Sequence, residues 1–320
     1  MKQDIAGHGI ITIDCNYTAP GHAAAYLLLE KERAAFVDNN TAHAAPLLMG
    51  ALDQYGLRPE QVDSLIITHL HLDHAGGTSS MVRHCPNAQV LCHPAAVRHL
   101  LDPSRLVASV KRVYGEKRFA ELYGVVEPIA PERVRAVEDG EAAGLGDRVL
   151  TFMHTPGHAK HHICIHDTQT GSVFVGDMFG VMHASPLRCS VPCLFFSTAP
   201  TDFDPARARE SIRRIRETGA ARVYMTHFGV YEALERGESQ LLESIAASEA
   251  ILQQAFVSDL GGDALRRFCE ERVRAAFTEH FTRWHIPMQD HDWRRLDEDI
   301  RINAMGLAYL VEKRRADLET

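Results

Sequence analysis

Short apolar runs separated by polar turns fill the chain as far as Tyr231. Ile10–Asp14, Ala24–Leu29 and Ala34–Asp38 read as consecutive strands, each a brief hydrophobic stretch bounded by turn residues. An amphipathic helix is predicted near His43–Tyr55. It is followed by the strand Ser64–Thr68, a helix near Thr78–His84, the strand Gln89–Cys92 and helices from Pro94 to Leu101. Within Ser104–Tyr123, Leu106, Val110, Val113 and Tyr114 fall at helical spacing, which predicts a lid or an amphipathic helix packed on the core. Val134–Met153 reads as a hairpin turned by Gly140 and Gly144 or Gly146. Strands then recur at His162–His166, Ser172–Val175 and Arg222–Met225, with a helix near Pro205–Thr218. Two halves of this kind predict an α/β fold, a four-layer αββα sandwich.

Beyond Tyr231 the period changes. Leu241, Ile245, Leu252 and Phe256, then Leu265, Phe268, Val273, Ala276 and Phe277, then Ile300, Ala304, Leu307 and Val311 keep helical spacing. The expected organisation is a domain over residues 1–230 and a helical C-terminal appendage over 231–320. Gly261-Gly262 separates two of its helices, with Asp263 as the expected N-cap.

The composition narrows the function classes. At 320 residues and 45% hydrophobic content the chain can bury a sizeable core. A formal charge of −8 and a pI near 6.2 disfavour nucleic acid as partner, because a polyanion calls for a basic face. The first residues lack an apolar core of signal-peptide length, and no run reaches a membrane span. The expectation is a cytoplasmic protein with a small-molecule substrate and no nucleic-acid or membrane partner, with the exposed helical faces suiting a homodimer. Seven cysteines in scattered apolar contexts fit reduced thiols, and the pair Cys189/Cys193 reads as ordinary loop thiols.

Residues 68–77, Thr-His-Leu-His-Leu-Asp-His-Ala-Gly-Gly, place four metal-ligand side chains, His69, His71, Asp73 and His74, within six positions. In extended chain His69 and His71 point the same way and can share one ion. Asp73 and His74 lie past the strand end and can face a second. Gly76 and Gly77 let the backbone bend and pack closely beneath. Imidazole with carboxylate suits zinc, iron or manganese. Further ligand types follow short strand-like runs at His158, Asp177 and His227.

This order of motifs resembles the metallo-β-lactamase-fold hydrolase superfamily over about residues 8–230. The resemblance implies that His69, His71 and His158 bind a first metal, Asp73, His74 and His227 a second, and that Asp177 bridges them. It implies two divalent ions per chain, zinc first with iron or manganese as alternatives, and a supporting role for Asp38 under the histidine loop. A helical region after the last ligand resembles the hydroxyacylglutathione hydrolase and quinolone-signal response thioesterase branches, the latter slightly more, since His162 follows His158 closely. The activity implied is a dinuclear hydrolase in which a metal-bridging hydroxide attacks an ester, thioester or lactone. Asp73 is the expected catalytic group, orienting the nucleophile and moving its proton. A phosphodiesterase on the same site, and a regulatory binding protein with a vestigial site, are the alternatives.

Around this set, His162 reads as a support or core histidine, and His161 as pointing the other way. His22 stands where it can line a pocket. His183, Phe195 and Phe196 lie in the long loop after Asp177 and are the candidate substrate contacts.

Overall fold

The computed structural model describes residues 8–182, 192–198 and 201–319. The chain divides into two compact units, Met1–His154 with His161–Gly176 and Thr218–Tyr231, and Thr155–Lys160 with Asp177–Glu217 and Glu232–Thr320.

The first unit holds two mixed six-stranded sheets. One has the order β1 (Ile10–Asp14), β2 (Ala24–Glu30), β3 (Arg33–Val37), β4 (Val62–Ile66), β5 (Gln89–Cys92), β6 (Val134–Ala136), and its last three pairings are parallel. Helices α1 (Ala45–Gln54), α2 (Leu72–Ala75), α3 (Thr78–His84), α4 (Val97–Leu101) and α5 (Ser104–Tyr123) lie between these strands in sequence. The other sheet runs β7 (Ala142–Leu145), β8 (Arg148–His154), β9 (Ile163–Asp167), β10 (Ser172–Gly176), β11 (Arg222–Met225), β12 (Gly229–Tyr231), with β10 and β11 parallel.

Strand alternation explains why the runs are apolar throughout rather than on every second residue. Ala24, Tyr26 and Leu28 of β2 and Ala35 and Val37 of β3 join Phe152, Ile163, Ile165 and Phe174 in a core between the sheets. The intervening Ala25, Leu27, Ala34 and Phe36 face Leu48, Ala51 and Leu52 of α1. Both faces are therefore buried, and a polar residue on either would be costly. Each fully buried large side chain contributes on the order of 1.5–3 kcal/mol.

Three sequence expectations need correction. Val134–Met153 is not one hairpin: β6 pairs in parallel with β5 in the first sheet, and only β7 and β8 form the antiparallel hairpin of the second. Burial alone cannot tell which sheet a short strand joins. The Ser104–Tyr123 helix is broken at Gly115, whose φ of 77° and ψ of 160° leave the helical region. Asp263 is not the N-cap. Gly261 holds that position, and Asp263 sits in the first turn, paired with Arg266.

The second unit contains α6 (Pro205–Glu217), α7 (Leu234–Val257), α8 (Gly262–Arg283) and α9 (Asp290–Glu319). Leu241, Ile245, Leu252, Leu265, Leu296, Ile300, Leu307 and Val311 are among its buried side chains. The Arg315 guanidinium closes the end of α7 by donating to the carbonyls of Ala255 and Phe256 at 2.7 and 3.0 Å. None of the described helices is long and apolar enough to cross a membrane.

Candidate metal centre

The candidate ligands sit where strands end. β4 stops at Ile66, and the chain bends at Thr68 and Leu70 before His71, which opens the single turn α2 that carries Asp73 and His74. This turn is laced to the segment after β3. Asn40 Nδ2 donates to the Asp73 carbonyl, and the Asn39 and Gly77 N–H groups donate to the carbonyls of His74 and Asn40, all at 2.8 Å. The close approach depends on Gly77, where a Cβ would lie 2.4 Å from the Asn39 carbonyl oxygen. Asp38 and Asn40 adopt left-handed backbone, φ of 56° and 52°, which residues of this type tolerate.

Asp38, 1% exposed, is the centre of the polar network. Its carboxylate accepts from the Thr68 N–H at 2.9 Å, the Thr68 hydroxyl at 3.0 Å, the Thr226 hydroxyl at 2.8 Å and His74 Nδ1 at 2.8 Å. With Nδ1–H committed to the carboxylate, the lone pair of His74 is on Nε2. The same logic holds at β11. His227 Nδ1 donates to the His22 carbonyl at 2.9 Å, and its Nε2 lies 3.2 Å from Asp73 Oδ2. Ligand atoms of Asp73, His74 and His227 all fall within 4.8 Å of one another. Two oriented imidazoles and a carboxylate at this spacing fit a divalent zinc, iron or manganese ion.

His69 is oriented through the same network. With the Thr68 hydroxyl donating to Asp38, its oxygen accepts from His69 Nδ1 at 3.1 Å, which turns Nε2 toward His71 Nδ1, 2.8 Å away. Two ring nitrogens this close suit a shared cation. His162, fully buried, stacks on His69 with ring centres 5.0 Å apart. It packs against Gly176, where φ is 48° and a Cβ would meet both His162 Nε2 and Thr68 Oγ1 at 2.7 Å. His161 faces the cluster rather than away from it. Its Nδ1 accepts from the Leu70 N–H at 3.3 Å, and its ring stacks on His69 at 6.3 Å. It can do so because it lies in the irregular segment before β9, which begins only at Ile163.

In the second unit His158 and Asp177 lie together, His158 Nε2 being 3.4 Å from Asp177 Oδ2. His158 Nδ1 donates to the Ser197 carbonyl at 3.1 Å, and its ring edges Phe196 at 6.5 Å. Phe195 and Phe196 are each 1% exposed. The Phe195 ring packs on Phe277 at 4.6 Å and Phe196 lies against Phe203, so packing accounts for both positions. His183 and Cys189 lie outside the described residues. Cys15, Cys85, Cys92, Cys164, Cys193 and Cys269 are buried thiols, and burial pushes Cys15 and Cys92 up to about 12, which keeps them protonated.

Several site residues were not anticipated. Thr68 and Thr226 tie Asp38 to two strand ends, and the signal for them was present, since each immediately precedes a candidate ligand histidine. Tyr17 and Tyr123 also border the centre. The Tyr17 ring lies 5.6 Å from His22, and its hydroxyl is 3.4 Å from that of Tyr123, a phenol that burial pushes well above its ordinary range. No periodicity marks these two.

Comparison with known proteins adds independent findings. The model of the metallo-beta-lactamase superfamily matches residues 20–227. An acyl-coenzyme A thioesterase MBLAC2 of Gallus gallus is 33% identical over 119 residues, 35% of this chain and 40% of that protein. A hydroxyacylglutathione hydrolase of Aeromonas salmonicida is 26% identical over 126 residues, 39% of this chain and 37% of that one. The chain thus matches about two fifths of the length of these curated relatives. The crystal structure of ST1585 from Sulfolobus tokodaii, an archaeal metallo-beta-lactamase superfamily protein, is similar with a TM-score of 0.64 at 20% identity, covering 94% of this chain and 98% of that one. The shared feature is the fold: two mixed sheets followed by a helical C-terminal region.

Proposed function

Because the chain belongs to the metallo-β-lactamase superfamily, a superfamily of metal-dependent hydrolases, we propose that it hydrolyses a small-molecule thioester, with esters and lactones as related substrates. The observation that carries this reading is the convergence of Asp73, His74 and His227, with each histidine already oriented by a hydrogen bond at its other nitrogen. Preoriented donors of this kind bind metal with little reorganisation. The thioester preference is supported by the relative printed as an acyl-coenzyme A thioesterase.

In this reading His69, His71 and His158 would hold one divalent ion, Asp73, His74 and His227 would hold a second, and Asp177 would serve both. Bound ions supply Lewis acidity toward the substrate oxygen and lower the pKa of water toward about 7. The chain does the rest. Asp38 keeps the His74 lone pair on Nε2, and Thr68 does the same for His69. Asp73 has a carboxylate 23% exposed beside the buried ring of His74, so it alone of that trio reaches both the interior donors and incoming substrate. It is the group to take a proton from the attacking water and return it to the leaving thiolate.

The test is turnover by metal-quantified protein on a panel of thioesters, aryl esters, lactones and phosphodiesters, with and without chelator. Chelator-sensitive hydrolysis concentrated on thioesters, restored by zinc, is the expected result. Metal-replete protein with no turnover on the panel, or turnover indifferent to chelator, overturns the reading.

A further inference from the structure

The segment from Leu194 to Thr198 is held to the C-terminal helices by side chains that satisfy its backbone. Gln240 Oε1 of α7 accepts from the Leu194 N–H at 3.0 Å, and His280 Nε2 of α8 donates to the Leu194 carbonyl at 2.8 Å. Burial pushes the His280 imidazole pKa down, which suits a neutral ring with its proton on Nε2. One helical turn beyond Gln240, Ser244 Oγ accepts from the Phe196 N–H at 3.1 Å. Asn303 of α9 then takes the far end of the segment. Its Oδ1 accepts from the Thr198 N–H at 2.6 Å and from the Thr198 hydroxyl at 2.9 Å, while its Nδ2 donates to the Asp299 carbonyl at 2.8 Å. Gln240, Ser244, His280, Thr198 and Asn303 are all buried.

Ser197 lies between the α7 anchor at Phe196 and the α9 anchor at Thr198, and its carbonyl accepts from His158 Nδ1 at 3.1 Å. That bond places the His158 lone pair on Nε2, the atom facing Asp177. A carbonyl fixed on both sides has little freedom to swing, so the ring it holds is fixed too. An irregular segment with these backbone groups buried needs such partners, and among the described residues it is Asn303 that binds the residue immediately after the carbonyl.

We propose that Asn303 is a positioning residue for His158, acting through Thr198 and the Ser197 carbonyl, so that the C-terminal helices set the orientation of a metal ligand. This rests on the reading of His158 as a ligand. The test compares full-length, chelator-stripped wild type, Asn303→Ala, Thr198→Val, Ile300→Ala and His158→Ala by zinc competition titration. The tautomer of His158 is followed by ¹⁵N NMR. Ile300 is fully buried on the same helix, so its truncation reports general destabilisation of α9. Thr198→Val removes only the hydroxyl, which keeps the comparison open if Asn303→Ala folds poorly.

Asn303→Ala is expected to weaken zinc binding about ten-fold or more, Thr198→Val less, and Ile300→Ala under about two-fold, with the His158 tautomer signal broadened only in the first two. Asn303→Ala and Thr198→Val binding like wild type, or Ile300→Ala weakening zinc as much as Asn303→Ala, overturns the proposal while leaving His158 a ligand. If His158→Ala itself binds zinc like wild type, the ligand reading fails and the proposal with it.

Discussion

Replacing Asp38 by alanine removes the acceptor for four donors in a position only 1% exposed. The hydroxyls of Thr68 and Thr226 can rotate toward other acceptors, but the Thr68 backbone N–H and His74 Nδ1–H cannot turn away. At about 1–3 kcal/mol for each donor left buried and unsatisfied, the loss in stability is about 2–6 kcal/mol. Asp38→Asn keeps the shape and one acceptor oxygen while setting an amide against a donor, and costs about 1–3 kcal/mol. The effect on metal is separate. Loss of the carboxylate removes the acceptor that holds the His74 proton on Nδ1 and so favours the lone pair on Nε2, and such supporting contacts are worth about 10–100-fold in metal affinity, or roughly 1.4–2.8 kcal/mol. Urea unfolding of chelator-stripped protein measures the first quantity, and zinc competition against a chromogenic chelator measures the second. A folded Asp38→Asn protein that binds zinc within about two-fold of wild type would refute the claim that Asp38 orients His74.

Other outcomes follow from the same contacts. Gly176→Ala forces a Cβ to within 2.7 Å of His162 and Thr68 at a left-handed φ, so urea unfolding should show a loss of about 1–3 kcal/mol, with weaker zinc binding; a neutral substitution would contradict the packing. Phe195→Ala empties a site packed on Phe277 and should cost about 3–5 kcal/mol in the same assay, whereas normal stability with altered acyl-chain preference would restore a substrate role. Burial, and then the neighbouring His154, lower the His93 pKa from 6.5 to about 4. The unfolded chain therefore binds the extra proton between these values, and stability is kept above about pH 6.5 and lost as pH falls toward 4. Because His93 is partly exposed, screening reduces this to about 1 kcal/mol, and His93→Gln should flatten the slope by that amount.

The strands at the heart of the first sheet were legible because both of its faces are buried there, so β2 and β3 announce themselves as nearly unbroken apolar runs. The three-residue strand β12 carries no such signal; it exists because Val223 and Met225 offer backbone partners to Tyr231 and Gly229. Sheet membership was equally hidden. Nothing in Val134–Ala136 says that it pairs with β5 rather than with the β7–β8 hairpin, since that choice is made by the chain's path through space.

At the centre, the residues that carry metal-ligand chemistry were legible in type and order, because imidazole and carboxylate groups after strand ends are rare enough to stand out. The residues that aim them were not. Thr68 and Thr226 lie 158 positions apart and look like any threonine, yet both hydroxyls reach one carboxylate. Asn303 is similarly remote from His158 in sequence, and the path proposed between them runs through Thr198 and the Ser197 carbonyl. Orientation is a property of tertiary contacts, set by which nitrogen of each ring is engaged, and a sequence lists the rings without saying which nitrogen is spoken for. The Thr-His pairs at 68–69 and 226–227 are the exception that a local rule could capture. A hydroxyl directly before a candidate ligand histidine, just past a strand end, can reach a common buried acid, and Asp38 just after β3 is where the parallel pairing of β3 with β4 delivers that acid.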